Sequence, residues 1–266
     1  MHRVQSRDGT ELACETSGSG PALVIVNGAL SDRSSVTPLR AHLDRHFTVV
    51  GYDRRGRGDS GDTAPYRPER ELEDLAAVVL ALEQPAFVFG HSSGAILALR
   101  AALNGVPMQR LALNEPPFIL PGTRPMPPTD ITARVAERIA ADDREGALRV
   151  FFGEQVGLPA PAFEQMKATP LWPRMVALAH TTPYDSALAG DSALPPAALL
   201  GKLSLPVLVL NGTASTPWLA ETARALVAAL PNARGKALEG QAHSPAPDVL
   251  APVLVDFFQE ARRNEV

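Results

Sequence analysis

Apolar runs of five or six residues recur along the first 117 positions and return after residue 203, with amphipathic segments between them. Runs that are apolar on both faces are typical of strands at the centre of a covered sheet. Strands that alternate with helices at this rhythm indicate a doubly wound, mostly parallel α/β sheet. The predicted buried strands are residues 22–26, 47–52, 85–89, 110–114 and 206–210, and residues 233–238 are compatible with a last strand.

Apolar residues spaced three or four apart predict amphipathic helices between the strands, one of them over residues 72–82. Thr-Pro pairs at positions 37–38 and 216–217 open two more, because threonine caps a helix and proline suits its first turn. The alternating segment 10–16 is typical of an edge strand. The last helix is predicted to begin at Pro252, since a proline inside a helix removes a backbone hydrogen bond.

No apolar run typical of a buried strand occurs between residues 118 and 203. Eleven of the chain's 25 prolines fall between positions 121 and 196, and short helical pieces such as residues 131–140 and 146–152 make up much of the rest. We expect a helical cap here, inserted over the carboxyl edge of the sheet, where such scaffolds carry specificity. The predicted domains are a core of residues 1–117 and 204–266 and a cap of residues 118–203.

The composition excludes several classes of function. The 266 residues carry a net charge of −4 with no run of basic residues, which argues against nucleic acid or an anionic membrane as a partner. The single cysteine, Cys14, rules out an internal disulfide and a zinc site built on thiolates. The first nine residues have no apolar h-region, and no stretch reaches the length of a membrane span. These features predict a cytoplasmic protein and leave its oligomeric state open.

The sequence Gly90-His91-Ser92-Ser93-Gly94 lies between the apolar run at 85–89 and a second apolar run. A strand, a tight turn with glycine at both ends and a helix form the context of a Gly-x-Ser-x-Gly nucleophile elbow. The glycine spacing selects Ser92 as the nucleophile in preference to Ser93. The competing interpretation is a glycine-rich turn with solvated serines, which the flanking strand and helix disfavour.

Two backbone N–H groups near the elbow are candidates for an oxyanion hole. The N–H of Ser93 lies at the start of the predicted helix, where backbone donors are free and the helix dipole is positive. The turn Asn27-Gly28-Ala29 follows the strand at 22–26, so the N–H of Ala29 is expected opposite that of Ser93. An ordinary strand-to-loop turn is the alternative.

The loop at residues 53–61 is dense in glycine and arginine. It lacks the P-loop order Gly-x-x-x-x-Gly-Lys-Ser/Thr, so we exclude a nucleotide site there. Its predicted role is structural, with Asp53 and Arg54 or Arg55 pinning the loop. The sequence offers no site for a metal or an organic cofactor, and none is expected.

Four motifs in order resemble the α/β-hydrolase superfamily: Asn27-Gly28-Ala29, the loop at 53–60, the elbow at 90–94, and His243 in a loop after the last strand. The resemblance covers the two predicted core blocks, about 180 residues. It implies an eight-stranded, mostly parallel sheet and a catalytic triad of nucleophile, acid and histidine. His243 is the base that the resemblance implies.

One position departs from the superfamily's commonest pattern. The acid usually follows the next-to-last strand in a Gly-x-x-Asp turn, but Gly212-Thr213-Ala214-Ser215 holds no carboxylate. A serine cannot stabilise an imidazolium as a carboxylate does. Some members carry the acid after the preceding strand, where Glu115 stands in this chain. The predicted triad is therefore Ser92, Glu115 and His243; Asp248 is a weaker candidate acid, and a surface carboxylate is the alternative for Glu115.

The predicted activity is that of a serine hydrolase which cleaves a small to medium, apolar ester, lactone or thioester through an acyl-enzyme. Two rival functions stay open: a lyase or cyclase that acts on a natural product with His243 as base, and a small-molecule receptor without turnover. Apolar cap residues are candidates to line a pocket, although most suit the cap's own core. The candidate substrate contacts are Leu30, Trp172, His180 and Trp218.

Overall fold

One eight-stranded sheet runs through the computed structural model, which describes residues 1–263. In chain order its strands are β1 (His2–Gln5), β2 (Glu11–Gly18), β3 (Ala22–Val26), β4 (Thr48–Tyr52), β5 (Ala86–His91), β6 (Arg110–Asn114), β7 (Val207–Gly212) and β8 (Ala233–Leu238).

In space the strands follow the order β1-β2-β4-β3-β5-β6-β7-β8. In this order β1 pairs antiparallel with β2, and β2 pairs antiparallel with β4. The other six strands, β3 to β8, pair parallel with one another. This arrangement confirms the predicted eight-stranded, mostly parallel sheet. The predicted edge position of the segment at 10–16 is wrong, because β1 pairs outside β2 with His2 opposite Cys14. No apolar run reveals β1, which has one buried residue, Val4.

The helices are α1 (Thr37–Leu43), α2 (Pro68–Leu80), α3 (Ser93–Leu103), α4 (Ile131–Ala140), α5 (Arg144–Val150), α6 (Ala160–Lys167), α7 (Trp172–Leu178), α8 (Thr182–Ala189), α9 (Ala197–Leu200), α10 (Pro217–Ala229) and α11 (Pro247–Arg263). Two 3₁₀ segments, Arg33–Val36 and Ala179–Thr181, and a π segment, Phe151–Val156, complete the set. Among residues 1–263, none of these helices combines the length and the apolar character that crossing a bilayer requires.

The sheet separates two apolar clusters, and the side chains of β3 alternate between them. Ala22, Val24 and Val26 face one cluster, and Leu23 and Ile25 face the other. Helices α2, α3 and α10 pack on the first face, and α1 and α11 pack on the second. Every residue of β3 is buried, as expected of a strand that helices cover on both sides.

Between β6 and β7 the chain forms helices α4 to α9 and, within the described residues, adds no strand to the sheet. This helical insertion has its own apolar clusters, and Leu30 of the core joins the one that contains Leu148 and Phe163. The class of fold is therefore as predicted. The domain boundaries at 118 and 203 stay a prediction, and residues 264–266 of the predicted core lie outside the described residues.

The last helix begins earlier than predicted. Helix α11 starts at Pro247 and contains Pro252, so the predicted start at Pro252 is wrong. The N–H of Leu250 donates to the carbonyl oxygen of Ala246 and closes the first turn. Leu250 and Ala251 are buried against the sheet, and this burial offsets the hydrogen bond that Pro252 lacks.

Cys14 lies in β2 with no exposed surface. Burial, with a smaller contribution from the charge of Asp53, raises the pKa of its thiol to about 12. The thiol is therefore protonated at pH 8, and the thiolate is the reactive form. We expect the native protein to react with dithiobisnitrobenzoate about 100-fold more slowly, or slower still, than the chain unfolded in guanidinium. Stoichiometric reaction of the native protein within minutes would contradict this prediction.

Candidate active site

Ser92 occupies a strained turn between β5, which ends at His91, and α3, which begins at Ser93. Its φ of 55° and ψ of −123° lie outside the regions that residues with a side chain normally adopt. Such a conformation costs about 1–3 kcal/mol and persists only where the surroundings impose it. The turn therefore has the geometry of a nucleophile elbow, and Ser92 is partly exposed at its tip.

The two glycines of the elbow allow α3 to begin directly against the sheet. A Cβ at position 90 would lie 2.6 Å from the carbonyl oxygen of Gly94 and 2.7 Å from Cα of Ala95. A Cβ at position 94 would overlap the carbonyl oxygen of Val26 and lie 2.5 Å from that of Asn27. These neighbours are backbone atoms, which cannot rotate aside as a side chain does. Neither position can therefore accept a larger residue without moving the elbow.

The turn after β3 lies against the elbow. A Cβ at Gly28 would come within 3.0 Å of Ser92 Cβ and 3.2 Å of the His91 carbonyl oxygen. None of the hydrogen bonds within residues 1–263 uses the N–H of Ala29 or of Ser93. The two predicted donors are thus close to Ser92 in the fold and uncommitted, which an oxyanion hole requires.

Glu115 and His243 form a hydrogen bond at the carboxyl edge of the sheet. His243 Nδ1 lies 2.6 Å from Glu115 Oε2, and the other carboxyl oxygen accepts a 2.8 Å bond from the N–H of Gly212. Burial alone would raise the pKa of Glu115, but these hydrogen bonds outweigh it and hold the pKa below its usual value. The carboxylate is therefore charged at neutral pH. The His243 ring lies 4.8 Å, centroid to centroid, from the ring of His91, the neighbour of Ser92. Within residues 1–263 His243 Nε2 makes no hydrogen bond to Ser92, and such bonds often tighten only with substrate.

The loop that carries His243 is attached to the end of β7. The N–H of Ala214 donates a 2.9 Å hydrogen bond to the carbonyl oxygen of Gln241. A Cβ at Gly212 would overlap that same carbonyl oxygen, so the close approach requires glycine. The turn that lacks the superfamily's usual acid thus holds the histidine loop by its backbone and supplies an amide to Glu115.

Two side chains that the sequence analysis did not consider brace this arrangement. Asn114 Nδ2 lies 3.0 Å from His91 Nδ1 and donates a 3.2 Å bond to the His243 carbonyl oxygen. An amide nitrogen only donates, so His91 Nδ1 accepts and the ring proton is on Nε2. Desolvation, followed by the neighbouring His243, lowers the pKa of His91 to about 3, which keeps the ring neutral. A polar residue at the end of an apolar strand is the sequence signal that marks Asn114.

Two of the candidate substrate contacts, Leu30 and Trp172, share one apolar cluster with Ala29. Leu30 is buried in an apolar cluster of the insertion, and Ala29 and Trp172 pack against the same cluster. The Trp172 ring meets Phe163 edge-on, with ring centroids 5.5 Å apart. Leu30 therefore adjoins a predicted oxyanion donor and Trp172 packs on the same cluster, and their contact with substrate stays a prediction.

The remaining candidates lie elsewhere. His180 Nε2 is 2.8 Å from the carbonyl oxygen of Gly56, so this ring links the insertion to the loop after β4. Trp218 packs against Arg124, whose guanidinium carbon is 5.2 Å from the ring centroid. Asp248, the weaker candidate acid, is exposed in the first turn of α11. The structure does not bring these three side chains together with Leu30 and Trp172 in one cluster.

The loop after β4 buries its arginines in ion pairs. Arg54 bonds to Glu71 at 2.5 and 2.8 Å and lies 3.0 Å from Asp185 Oδ1, and Arg55 bonds to Asp74 at 2.7 Å. Both guanidinium groups thus anchor the loop, as predicted for one of them. Asp185, in α8, was missed; its signal was a carboxylate on the buried face of an otherwise uncharged helix. In the part of the chain that the structure describes, no group of three or more His, Cys, Asp or Glu residues is arranged to hold a metal ion.

The close approach at Gly94 predicts a steric limit. Gly94→Ala should lower the free energy of unfolding by about 2–3 kcal/mol or more, because the added Cβ meets two backbone oxygens. Gly153→Ala is the matched control, since a Cβ there meets no atom within 4 Å. Urea unfolding of both variants measures the difference. Equal stability of the two variants would show that the elbow can relax.

Comparison with known proteins agrees with this geometry. A family model described as alpha/beta hydrolase family matches residues 23–253. An alpha/beta hydrolase structure from Sphaerobacter thermophilus is 50% identical, with a TM-score of 0.93 over 97% of this chain and 100% of that one. The enol-lactonase from Burkholderia xenovorans shares the fold at 23% identity, with a TM-score of 0.71 over 97% of this chain and 100% of that one.

Similarity to curated proteins is partial. N-formylmaleamate deformylase from Pseudomonas putida is 32% identical over 152 residues, which are 54% of this chain and 57% of that protein. An uncharacterised hydrolase from Bacillus subtilis is 30% identical over 116 residues, 42% of this chain and 43% of that protein. The chain thus spans about half the length of these curated relatives. With the family model matched along most of its length, the chain belongs to the alpha/beta hydrolase family.

Proposed function

We propose that the protein is a serine hydrolase that cleaves a small to medium, apolar ester, lactone or thioester, with Ser92, His243 and Glu115 as its catalytic triad. The observation that carries this proposal is the 2.6 Å hydrogen bond between His243 Nδ1 and the buried carboxylate of Glu115. A carboxylate in this position orients the imidazole and stabilises its charged form, which is the role of a triad acid. The strained conformation of Ser92 supports its role as the nucleophile.

The proposed reaction has two steps. His243 Nε2 takes the proton of Ser92 Oγ while that oxygen attacks the substrate carbonyl carbon, and the N–H groups of Ala29 and Ser93 bind the resulting oxyanion. The imidazolium gives its proton to the leaving alcohol or thiol as the C–O or C–S bond breaks, which leaves the acyl group on Ser92. Water, deprotonated by His243, then attacks the acyl-enzyme, releases the acid and restores the serine.

The relatives support hydrolysis of a small acyl compound. One is named a deformylase of N-formylmaleamate, and structural neighbours are named as an enol-lactonase and an esterase. The apolar cluster that Leu30 and Trp172 share beside Ala29 favours an apolar group on the substrate.

Covalent labelling tests the nucleophile and the acid together. A fluorophosphonate probe should add one phosphonyl group to the protein, on Ser92, as read by intact and peptide mass spectrometry. Glu115→Gln should lower the labelling rate and the kcat for p-nitrophenyl acetate by about 10³- to 10⁴-fold, because the imidazole loses its charged partner. Asp248→Asn, which changes an exposed carboxylate, is the matched control and should stay within about twofold of wild type.

Three other outcomes would count against the proposal. A label on Ser93 would identify Ser93 as the nucleophile in place of Ser92. An equal loss of kcat in Asp248→Asn would count against Glu115 as the acid. A folded wild-type protein that takes up no probe and hydrolyses no ester above a Ser92→Ala control would remove the serine hydrolase. The lyase, cyclase or receptor functions would then be the ones to examine.

A second experiment tests the apolar substrate group. Trp172→Ala should lower the ratio of kcat/KM for p-nitrophenyl hexanoate to that for the acetate by about 3- to 10-fold, since each buried CH₂ contributes about 0.8 kcal/mol. Trp218→Ala is the control, because that ring packs on Arg124. A ratio that Trp172→Ala leaves unchanged would exclude Trp172 from the binding site, and a change in Trp218→Ala alone would assign the contact to Trp218.

A further inference from the structure

Arg57 joins the turn after β3 to the helical insertion. Its Nη1 donates to the carbonyl oxygen of Gly28 at 3.1 Å, and its Nη2 donates to Asp185 Oδ2 at 2.7 Å. The side chains of Arg57 and Asp185 are 0% and 2% exposed, so solvent does not weaken the pair. Asp185 belongs to α8, and a residue of the insertion thereby supports a backbone group of the core.

The bond to Gly28 decides which way the next N–H points. A trans peptide unit is planar, and its C=O and N–H lie on opposite sides. Because the Gly28 carbonyl points at Arg57, the N–H of Ala29, in the same peptide unit, points away from Arg57. The elbow is a close neighbour of this unit, with Ser92 Cβ 3.0 Å from a Cβ placed on Gly28. The opposite orientation would present a carbonyl oxygen to the developing oxyanion and repel it.

The second predicted donor, the N–H of Ser93, is oriented by helix α3. The carbonyl oxygen of Ser92 accepts hydrogen bonds from the N–H groups of Ala95 and Ile96 at 2.9 and 3.2 Å. Helix α3 itself thus fixes the peptide unit that carries the N–H of Ser93. Asp185 Oδ1 accepts a 2.8 Å bond from Ser93 Oγ, so Asp185 contacts the side chain of the residue that carries this donor. It reaches the peptide unit of the Ala29 donor through Arg57.

Turning the Gly28–Ala29 peptide unit over would cost free energy, because Arg57 would lose a hydrogen bond. The buried guanidinium of Arg57 would lose its carbonyl acceptor, while its Nε already has no hydrogen-bond partner within the described residues. Burial would raise the pKa of Asp185, but the charges of Arg57 and Arg54 hold it below its usual value. Asp185 is therefore a carboxylate at neutral pH, and a guanidinium donor binds a carbonyl oxygen more strongly than a neutral donor does.

We infer that Arg57 and Asp185 are positioning residues, which hold the Gly28–Ala29 peptide unit in the orientation that binds the oxyanion. The insertion thereby takes part in transition-state stabilisation through α8, without contact with the reacting atoms. This inference rests on the proposed hydrolase function, because the orientation of Ala29 matters only where an oxyanion forms.

Arg57→Met tests the inference, because it keeps an apolar stem and removes both donors. The kcat for p-nitrophenyl acetate should fall by about 10- to 100-fold with KM within about twofold, since the Ala29 donor is misdirected and not deleted. Arg55→Met is the matched control: Arg55 lies in the same loop, is equally buried and pairs with Asp74, but touches neither donor. The acidic limb of the pH profile should keep its position, because the Glu115–His243 pair is unchanged.

Two milder variants keep the test decisive where Arg57→Met fails to fold. Arg57→Lys retains the buried charge and one donor, so its kcat should recover to within about tenfold of wild type. Asp185→Asn keeps the shape of the side chain but leaves Arg57 without its carboxylate, and its kcat should fall by about 3- to 10-fold. In both variants KM should stay near the wild-type value.

Two results would overturn the inference and leave the proposed hydrolase intact. One is an equal loss of kcat in Arg57→Met and Arg55→Met, and the other is a rise in KM with kcat unchanged in the Arg57 and Asp185 variants. A wild type that hydrolyses no ester and takes up no probe on Ser92 would instead remove the hydrolase proposal, and this inference would fall with it.

Discussion

Arginines buried in the loop after β4 impose a charge balance that the surrounding structure has to meet. An isolated charge in a protein interior costs more than the whole margin of folding stability, so each guanidinium must find carboxylates. Those carboxylates come from three separate parts of the chain, namely the turn before β2, helix α2 and helix α8. Removing one partner of such a pair costs about 3–5 kcal/mol, because the other charge stays buried. The loop is therefore the point at which the first hairpin, a covering helix and the insertion are joined.

The elements that could be predicted from the sequence are those in which the order of apolar and polar residues along a short segment indicates which residues are buried. Strand β3 is apolar at five successive positions and is buried at all five, because helices cover both faces of the sheet. Strand β1 could not be found in this way, since only its pairing with β2 places it and Val4 alone is buried. The first turn of α11 was missed for a similar reason: contact of Leu250 and Ala251 with the sheet outweighs the effect of Pro252.

In the candidate site, too, some features could be predicted from the sequence and others depend on contacts between distant parts of the chain. Glu115 could be proposed because the resemblance to the α/β-hydrolase superfamily implies an acid after this strand in some members, and a parallel sheet gathers the ends of its strands at one edge. The contact between Arg57 and Asp185 spans 128 positions of sequence, and no spacing rule connects a loop arginine to a carboxylate in a helical insertion. Nor does a sequence pattern show which way a peptide unit faces. Both features depend on tertiary contacts that only the folded chain makes.

The amide that Gly212 offers to Glu115 is a backbone group, and it is present whatever side chains stand at the next three positions. With Glu115 as the proposed acid, the strand that supplies the acid can therefore change over evolutionary time while the histidine loop stays where it is. A chain with carboxylates after both β6 and β7 would keep a charged partner for the imidazole throughout. Two single substitutions, one gain followed by one loss, would then carry the acid from one strand to its neighbour with no inactive ancestor between them.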